Sequence, residues 1–272
     1  MKRLIINADD FGLSEQVVRG IMDCHQAGAI SSTSCMTNMP AWPQAAAYLR
    51  DHPQLGAGVH LVFNAGRPLL PPTRVPALVG PTGRFMIDSQ ILRSFRPGTT
   101  AQLRAELRAQ IERFIADVGR QPTHLDNHCS VSYVRPDRFK VTLQLAREFK
   151  LPIRAPFGDD LEERVSDLSK INSLPPWLIR WQGGRYRRNV DRRGIRRPNT
   201  FIISFSQPTA RTAGALLGIL AQVRDGWVSE LLTHPGYDGD WRESEIRALL
   251  DPRVRSCLKE QGIELVSFAE IG

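Results

Sequence analysis

The sequence predicts an α/β protein built on a parallel sheet that is either open or closed into a barrel. Short apolar stretches typical of buried strands alternate about seven times with longer amphipathic stretches typical of helices. The 272 residues are enough to bury a sizeable core. A hydrophobic fraction of 42% and a charged fraction of 24% are typical of globular proteins.

The first part of the chain shows this alternation clearly. Ser14 is the predicted N-cap of the first helix and Gly28 its predicted stop. The Pro- and Gly-rich stretch 65–85 follows a strand and predicts a long loop that forms a lid or a wall. The elements predicted here are a strand at 3–7, a helix at 14–28, a strand at 30–36, a helix at 41–51 and a strand at 55–63.

The clearest helix is predicted at 99–119. Its apolar residues recur at helical spacing from Leu103 to Val118. Thr99 and Gln102 have the spacing of a capping box, and Gly119 has the position of a C-terminal stop.

The second half of the chain continues the alternation around one exception. The stretch 157–198 lacks regular periodicity and is predicted to be an irregular insertion. Near the end, Asp251 is the predicted cap of a last helix that begins at Pro252. The other predicted elements are strands at 122–128, 151–156, 200–205, 227–234 and 263–268, with helices at 136–150, 210–225 and 241–251.

The net charge of +8 is concentrated in one place. Residues 179–198 hold eight arginines and a single acid, Asp191. One interpretation is a solvated, mobile excursion. Another is a patch for an anionic partner, either a phosphorylated substrate or a lipid headgroup, which would allow peripheral membrane contact. Nucleic acid is not expected, because no known recognition motif or aromatic platform accompanies these arginines.

The four cysteines and the N-terminus predict a cytoplasmic protein. The cysteines are far apart in the sequence and are expected to be reduced thiols. The apolar run at the N-terminus stops after three residues, Leu4 to Ile6, which is too short for a signal peptide. No apolar run is long enough to predict a transmembrane helix.

Acids and histidines lie at the ends of several predicted strands. Asp9 and Asp10 follow the first strand, and His60, His128 and His234 lie in or after later ones. Because the carboxyl ends of parallel strands meet at one face, these groups are predicted to converge. One carboxylate and two imidazoles suit a catalytic divalent metal. Alternatively, Asp10 caps the next helix and each histidine is a hydrogen-bonded core residue.

Four motifs occur in order along the chain: LIINADDFGLS, GAGVHLVFNAGRPL, PTHLDNH and ELLTHPGY. Together they resemble those of the YdjC-like carbohydrate deacetylases, a family that includes chitooligosaccharide and hopanoid-associated deacetylases. The resemblance implies a distorted (β/α) TIM-like barrel formed by a single domain over residues 1–272. It also implies a hydrolase that uses one divalent metal to remove acetyl groups from N-acetylated sugars.

The resemblance assigns roles to individual residues. Asp10, His60 and His128 match the metal ligands. Asp9 matches the general base, and His234 is the candidate general acid. The carboxylate ligand suits Mg²⁺ and the imidazoles favour Zn²⁺, so the choice between these metals stays open.

Further residues are predicted to support this site. Asp126 is expected to lie beside the metal and to orient a ligand or water, and Arg154 to contact substrate or Asp9. Trp181 lies in the irregular segment and is a candidate platform for stacking on a sugar. Cys129 and Ser130 stand where many family members have further histidines, which leaves the choice of acid open.

The expected partner is an N-acetylated carbohydrate, free or lipid-linked, and a homodimer is possible. Two other functions compete with the deacetylase. One is a different metal hydrolase of the same fold that acts on an ester or a phosphoester. The other is a sugar- or lipid-binding relative with impaired catalysis, since the extra histidines are missing.

Overall fold

The structure is a computed structural model that describes residues 1–93, 96–128, 131–172 and 175–271. Cys129 and Ser130 lie outside these residues. Within them, seven strands form one parallel sheet in the order β4-β3-β2-β1-β6-β5, with β7 also paired to β1. The strands are β1 (Lys2–Phe11), β2 (Ser32–Cys35), β3 (Gly56–Leu61), β4 (Leu125–Asn127), β5 (Thr200–Ile202), β6 (Val228–Thr233) and β7 (Ile263–Leu265).

Helices surround this sheet. Those before β4 are α1 (Glu15–Gln26), α2 (Trp42–Asp51), α3 (Asp88–Arg93) and α4 (Thr99–Val118). Those between β4 and β5 are α5 (Val131–Val134), α6 (Pro136–Phe149), α7 (Leu161–Asn172) and α8 (Pro176–Asp191). The last are α9 (Ala213–Leu220), α10 (Asp240–Leu249) and α11 (Pro252–Glu260). None of the helices that the structure describes has the length and apolar character needed to cross a bilayer.

Strand β1 is the centre of the sheet. Along one edge it pairs with β6, from Arg3 opposite Val228 to Ala8 opposite Thr233. Its other edge is shared, because β7 pairs with the first residues of β1 and β2 with the later ones. The path of pairing ends at β4 and β5 without closing within the described residues, so the sheet forms a half-barrel.

Local signals in the sequence correctly predicted several helix ends. The Ser14 side chain accepts a hydrogen bond from the Val17 backbone N–H, and Asp251 caps α11 in the same way. Gly119 ends α4 with a left-handed φ of 79°. The capping box at Thr99 was wrong: Gly98 is the N-cap, and the Thr99 hydroxyl donates back to the Arg96 carbonyl.

Two predicted segments differ in the structure. The stretch 157–198 is not irregular, because α7 and α8 occupy most of it. Its periodicity is hard to see because the buried face of α8 includes Gly183 and Tyr186 among the arginines. The predicted strand at 151–156 is reduced to a single bridge between Ile153 and Leu125.

Candidate metal centre

The carboxyl end of β1 brings two neighbouring acids to one point. Strand β1 continues beyond the predicted 3–7 and includes both Asp9 and Asp10. Side chains normally alternate between the two faces of a strand. The pairing with β2 is irregular between Ala8 and Phe11, and Asp10 has a left-handed φ of 72°. Both carboxylates therefore reach His60 Nε2, Asp9 Oδ2 at 3.7 Å and Asp10 Oδ1 at 3.6 Å.

Asp10, His60 and His128 form a compact set of donor atoms. His128 Nδ1 lies 3.4 Å from Asp10 Oδ1 and 3.3 Å from His60 Nε2. Asp10 Oδ1 and His60 Nε2 are 3.6 Å apart, so Asp10 Oδ1, His60 Nε2 and His128 Nδ1 lie at the corners of a triangle. We call these three atoms the donor triangle. Burial would raise the pKa of Asp10, but the hydrogen bond from His128 and the nearby imidazoles His234 and His60 hold it well below its usual value. Two imidazoles and an ionised carboxylate fit a divalent ion with open positions for water.

Asp126 fixes the orientation of His60. The register of β3 and β4 places the two residues opposite each other. Burial raises the pKa of Asp126, but Arg154 and His60 outweigh this effect and lower it, so Asp126 is ionised and can only accept. His60 Nδ1 therefore donates to Asp126 Oδ1 at 2.9 Å. In the neutral imidazole the lone pair is then on His60 Nε2, which faces Asp10 and His128.

Arg154 connects three buried carboxylates. Its guanidinium donates to both oxygens of Asp9, at 2.8 and 2.6 Å. It also lies 2.8 Å from Asp126 Oδ2 and 2.7 Å from Glu230 Oε1. Asn7 adds a further hydrogen bond to Asp9 Oδ1 at 2.7 Å. Asp9 is thus held in one orientation beside the donor triangle.

Arg242 holds the other acid of the pair. Its Nη2 donates to Asp10 Oδ2 at 2.6 Å, so Asp10 Oδ1 remains directed at the two imidazoles. Arg242 Nη1 also donates to the His234 carbonyl at 3.3 Å. Helix α10 therefore contacts the Asp10 carboxylate through its Oδ2 atom, while the imidazoles lie near Oδ1.

His234 follows β6 and lines a cavity that it shares with Asp9, Asp10, His60 and His128. Burial lowers its pKa, an effect that the negative charges of Asp10 and Asp9 only partly offset. Its backbone N–H donates to Glu245 Oε2 at 2.5 Å. Within the part of the chain that is described, His234 Nδ1 has no hydrogen-bond partner.

A cavity of about 300 Å³ opens from these residues, and most of its wall is apolar. Asp9, Asp10, His60, His128 and His234 form its polar end. Its apolar side is formed by Pro156, Phe157, Leu168, Ile179, Phe201 and Leu232. A ligand that reaches the donor triangle would therefore lie against a hydrophobic surface.

Trp181 does not line this cavity, and neither does Asp126, which is buried behind His60. Trp181 is 53% exposed and faces a neighbouring groove, where Arg185 lies over its ring at 5.6 Å. The reason is the helical structure of this segment, which turns Ile179 and Gln182 towards the cavity instead. The geometry does not support Trp181 as a platform beside the donor triangle.

Several residues of the site escaped the sequence analysis. Glu230, Arg242 and Glu245 are buried charges whose partners belong to the site. Glu230 is the one charged residue of the buried strand β6, and Arg242 and Glu245 lie at inward positions of α10. A charge at a position that periodicity predicts to be buried requires a partner. This signal was present in the sequence.

Comparison with known proteins identifies the family. The family model described as YdjC-like protein matches residues 3–260. The chain belongs to the YdjC-like family. The resemblance expected from the four sequence motifs is therefore confirmed.

Relatives of this YdjC-like chain have similar lengths. A carbohydrate deacetylase of Geobacillus stearothermophilus is 31% identical over 276 residues, which cover 98% of this chain and 96% of the relative. A chitooligosaccharide deacetylase of Yersinia enterocolitica is 28% identical and covers 99% of each chain.

Solved structures confirm the fold class. A protein from Enterococcus faecalis V583, to which cellobiose-phosphate cleavage has been ascribed, has a TM-score of 0.79 and 28% identity, with 98% of this chain and 97% of that chain covered. The Xyl-CE4 domain of a multidomain xylanase from the hindgut metagenome of Trinervitermes trinervoides has a TM-score of 0.52 and 10% identity, with 99% of this chain and 88% of that chain covered. The second match concerns the fold alone. The predicted parallel, barrel-like α/β architecture is thus correct.

Proposed function

We propose that this YdjC-like protein is a metal-dependent carbohydrate deacetylase, which hydrolyses the acetamide of an N-acetylated sugar and releases acetate. The observation that carries the proposal is the donor triangle of Asp10, His60 and His128 with Asp9 beside it. The naming of the relatives as carbohydrate deacetylases supports the same reaction.

The donor triangle is where the metal would be held. Because Nδ1 of His60 donates to Asp126, the neutral imidazole carries its lone pair on Nε2, which fits a ligand. Either Mg²⁺ or Zn²⁺ suits a set of one carboxylate and two imidazoles. When bound, a divalent ion supplies Lewis acidity, which polarises the acetyl carbonyl and lowers the pKa of water.

Asp9 is the proposed general base. Arg154 and Asn7 hold its carboxylate 3.7 Å from His60 Nε2, next to the donor triangle. In this position it can take the proton of a water molecule as the oxygen attacks the carbonyl carbon. Asp126 and Arg154 act through other residues, so we regard them as positioning residues.

His234 is the proposed general acid. The C–N bond breaks only if the leaving nitrogen gains a proton, and His234 lines the cavity on the β6 side. Burial lowers its pKa, so His234 is neutral at rest. His234 must therefore first take up the proton that Asp9 removed from water and then pass it to the leaving amine, which returns both residues to their starting states.

The substrate is proposed to be a lipid-linked glycan rather than a free oligosaccharide. Most of the cavity wall beside the donor triangle is apolar, with Phe157, Ile179 and Phe201 among its side chains, so a purely polar sugar chain would bury few of its hydroxyls against hydrogen-bond partners. An apolar group attached to the sugar would pack against the apolar wall of the cavity. The cytoplasmic location and the homodimer stay predictions.

The deciding experiment measures acetate release from N-acetylglucosamine oligosaccharides and N-acetylglucosaminyl lipids. We expect release that stops with a chelator and returns with Mg²⁺ or Zn²⁺. Asp9→Asn should reduce the rate by about 10² to 10⁴ while metal binding is retained. Asp191→Asn, on the exposed end of α8, is the matched control and should keep full activity.

The same assay separates the competing functions. Acetate release from O-acetylated but not N-acetylated sugars would indicate an esterase. Metal binding without release from any substrate would indicate a binding protein. Full activity of Asp9→Asn would rule out Asp9 as the base.

A further inference from the structure

Helix α8 has one face in the protein and one face in solvent. Its buried residues, among them Ile179, Tyr186 and Val190, recur at helical spacing. The opposite face carries a stripe of exposed side chains that spans about 80° of arc at 3.6 residues per turn. This α8 stripe consists of Trp177, Trp181, Arg185, Arg188 and Arg192.

The aromatic end of the stripe is unusually open to solvent. Trp177 is 67% exposed and Trp181 is 53% exposed, more than any other aromatic side chain named among the exposed residues in the described structure. Tryptophan in such a position favours an interface, because its ring is apolar and its indole N–H is polar. These two rings are next to each other on successive turns.

The other end of the stripe carries unneutralised charge. Arg188 and Arg192 have no acidic partner among the residues that the structure describes. Nearby, Arg180 forms an ion pair with Glu162, so it contributes less positive charge to this surface. The whole stretch 179–198 has eight arginines against one acid, which favours an extended anionic surface as the partner.

The stripe lies directly outside the apolar cavity. Ile179 and Gln182 of α8 line the cavity that contains the donor triangle. Gln182 and Trp181 also line the neighbouring groove, and Tyr133 lines both. Helix α8 is thus the wall between the apolar cavity and the exposed tryptophans.

We propose that the α8 stripe binds the surface of an anionic lipid bilayer, with Trp177 and Trp181 in the headgroup region and the arginines on lipid phosphates. An amphipathic helix lying in the plane of the interface is held by such apolar and cationic contacts. A bilayer is favoured over a nucleic acid because the cavity behind the stripe is apolar. Any gain in the rate of deacetylation from binding the bilayer rests on the proposed lipid-linked substrate. The binding of the α8 stripe to the bilayer does not.

Sedimentation with vesicles tests the proposal. We expect the wild-type protein to bind vesicles of phosphatidylcholine with phosphatidylglycerol, to bind phosphatidylcholine alone weakly, and to dissociate as salt is raised. Arg188→Gln/Arg192→Gln should weaken partitioning about 25-fold, because each arginine near an anionic surface contributes about fivefold. Trp177→Ala should weaken binding at both low and high salt.

Matched variants and a second assay make the result decisive. Arg255→Gln/Lys259→Gln removes the same charge from the exposed side of α11 and should leave partitioning within about twofold. All these variants should release acetate at the wild-type rate from an N-acetylglucosaminyl lipid dispersed in neutral detergent, so lost vesicle binding with intact activity would leave the proposed reaction standing.

Three outcomes would overturn the proposal. The first is that the wild-type protein binds neither kind of vesicle. The second is that the α11 and α8 double variants weaken binding equally. The third is that the α8 variants change the molar mass measured by light scattering without changing vesicle binding, which would make the stripe a contact between two copies of this chain.

Discussion

At the scale of single residues, the site depends on a strained aspartate. Asp10 adopts a left-handed φ of 72°, which costs of order 1–3 kcal/mol for a residue with a side chain. The surrounding structure stabilises this conformation through Arg242, which donates to Asp10 Oδ2 at 2.6 Å. The gain is that two adjacent carboxylates meet the same imidazole.

Asp126 should control metal affinity without touching the metal. Asp126→Ala removes the acceptor for His60 Nδ1, so we expect metal affinity to fall about 10- to 100-fold. Asp126→Asn keeps an oxygen that can accept this hydrogen bond and should lose less. Titration with Mn²⁺ or Zn²⁺ against a competing indicator measures both, and Asp191→Ala is the control. Equal losses in the two Asp126 variants would contradict orientation as the cause.

Arg154 should matter for stability as well as for activity. Arg154→Met leaves Asp9, Asp126 and Glu230 buried without their shared cation, and breaking such a pair costs about 3–5 kcal/mol. Urea unfolding measures the change. Arg104→Met breaks an exposed pair with Glu148 and should cost less than about 1 kcal/mol. Similar losses in both variants would show that the buried network contributes little.

At the scale of elements, adjacent strands are matched in side-chain size. Gly58 in β3 lies against the ring of His124, which comes just before β4. A Cβ at residue 58 would lie 2.3 Å from His124 Cε1. The His124 ring has little freedom to move. Its centroid lies 3.7 Å from that of the Phe268 ring, on which it stacks, and its Nε2 lies 3.1 Å from Ser34 Oγ. The glycine is therefore a packing requirement of the strand pair.

Gly58→Ala should destabilise the protein. Overpacking a filled core costs about 1–3 kcal/mol, and we expect the upper part of this range in urea or thermal unfolding. Gly218→Ala in α9 has no atom within 4 Å of the new Cβ and should be neutral or stabilising by up to about 1 kcal/mol, because alanine favours a helix. A neutral Gly58→Ala would mean that His124 is free to move.

At the scale of the whole molecule, strand order explains which features were predictable from sequence. The convergence of Asp9, His60 and His128 was predictable because parallel strands end at one face. Arg242 reaches Asp10 from a helix far along the chain, and no spacing rule relates the two residues. The direction in which Trp181 faces was not predictable, because it depends on the rotation of α8, which only tertiary packing determines.

Global stability should depend on pH through His124. Burial lowers the pKa of His124 to about 4, against about 6.5 in an unfolded chain. Between these values the unfolded state binds more protons, so stability falls as the pH falls from about 6.5 to about 4. The full effect is about 3 kcal/mol at most. His124→Gln should unfold with a shallower dependence on pH in this range, and an unchanged slope would exclude His124 as the source.

The pairing of β1 has a consequence for the order of assembly. Ile5 is opposite Glu230 and Arg3 is opposite Glu264, so β1 obtains most of its partners from strands that are synthesised much later than β1 itself. A nascent chain that lacks those late strands exposes an unpaired apolar edge, which favours aggregation. Since β1 also carries Asp9 and Asp10, the two carboxylates are held in place only after β6 and β7 have paired with β1.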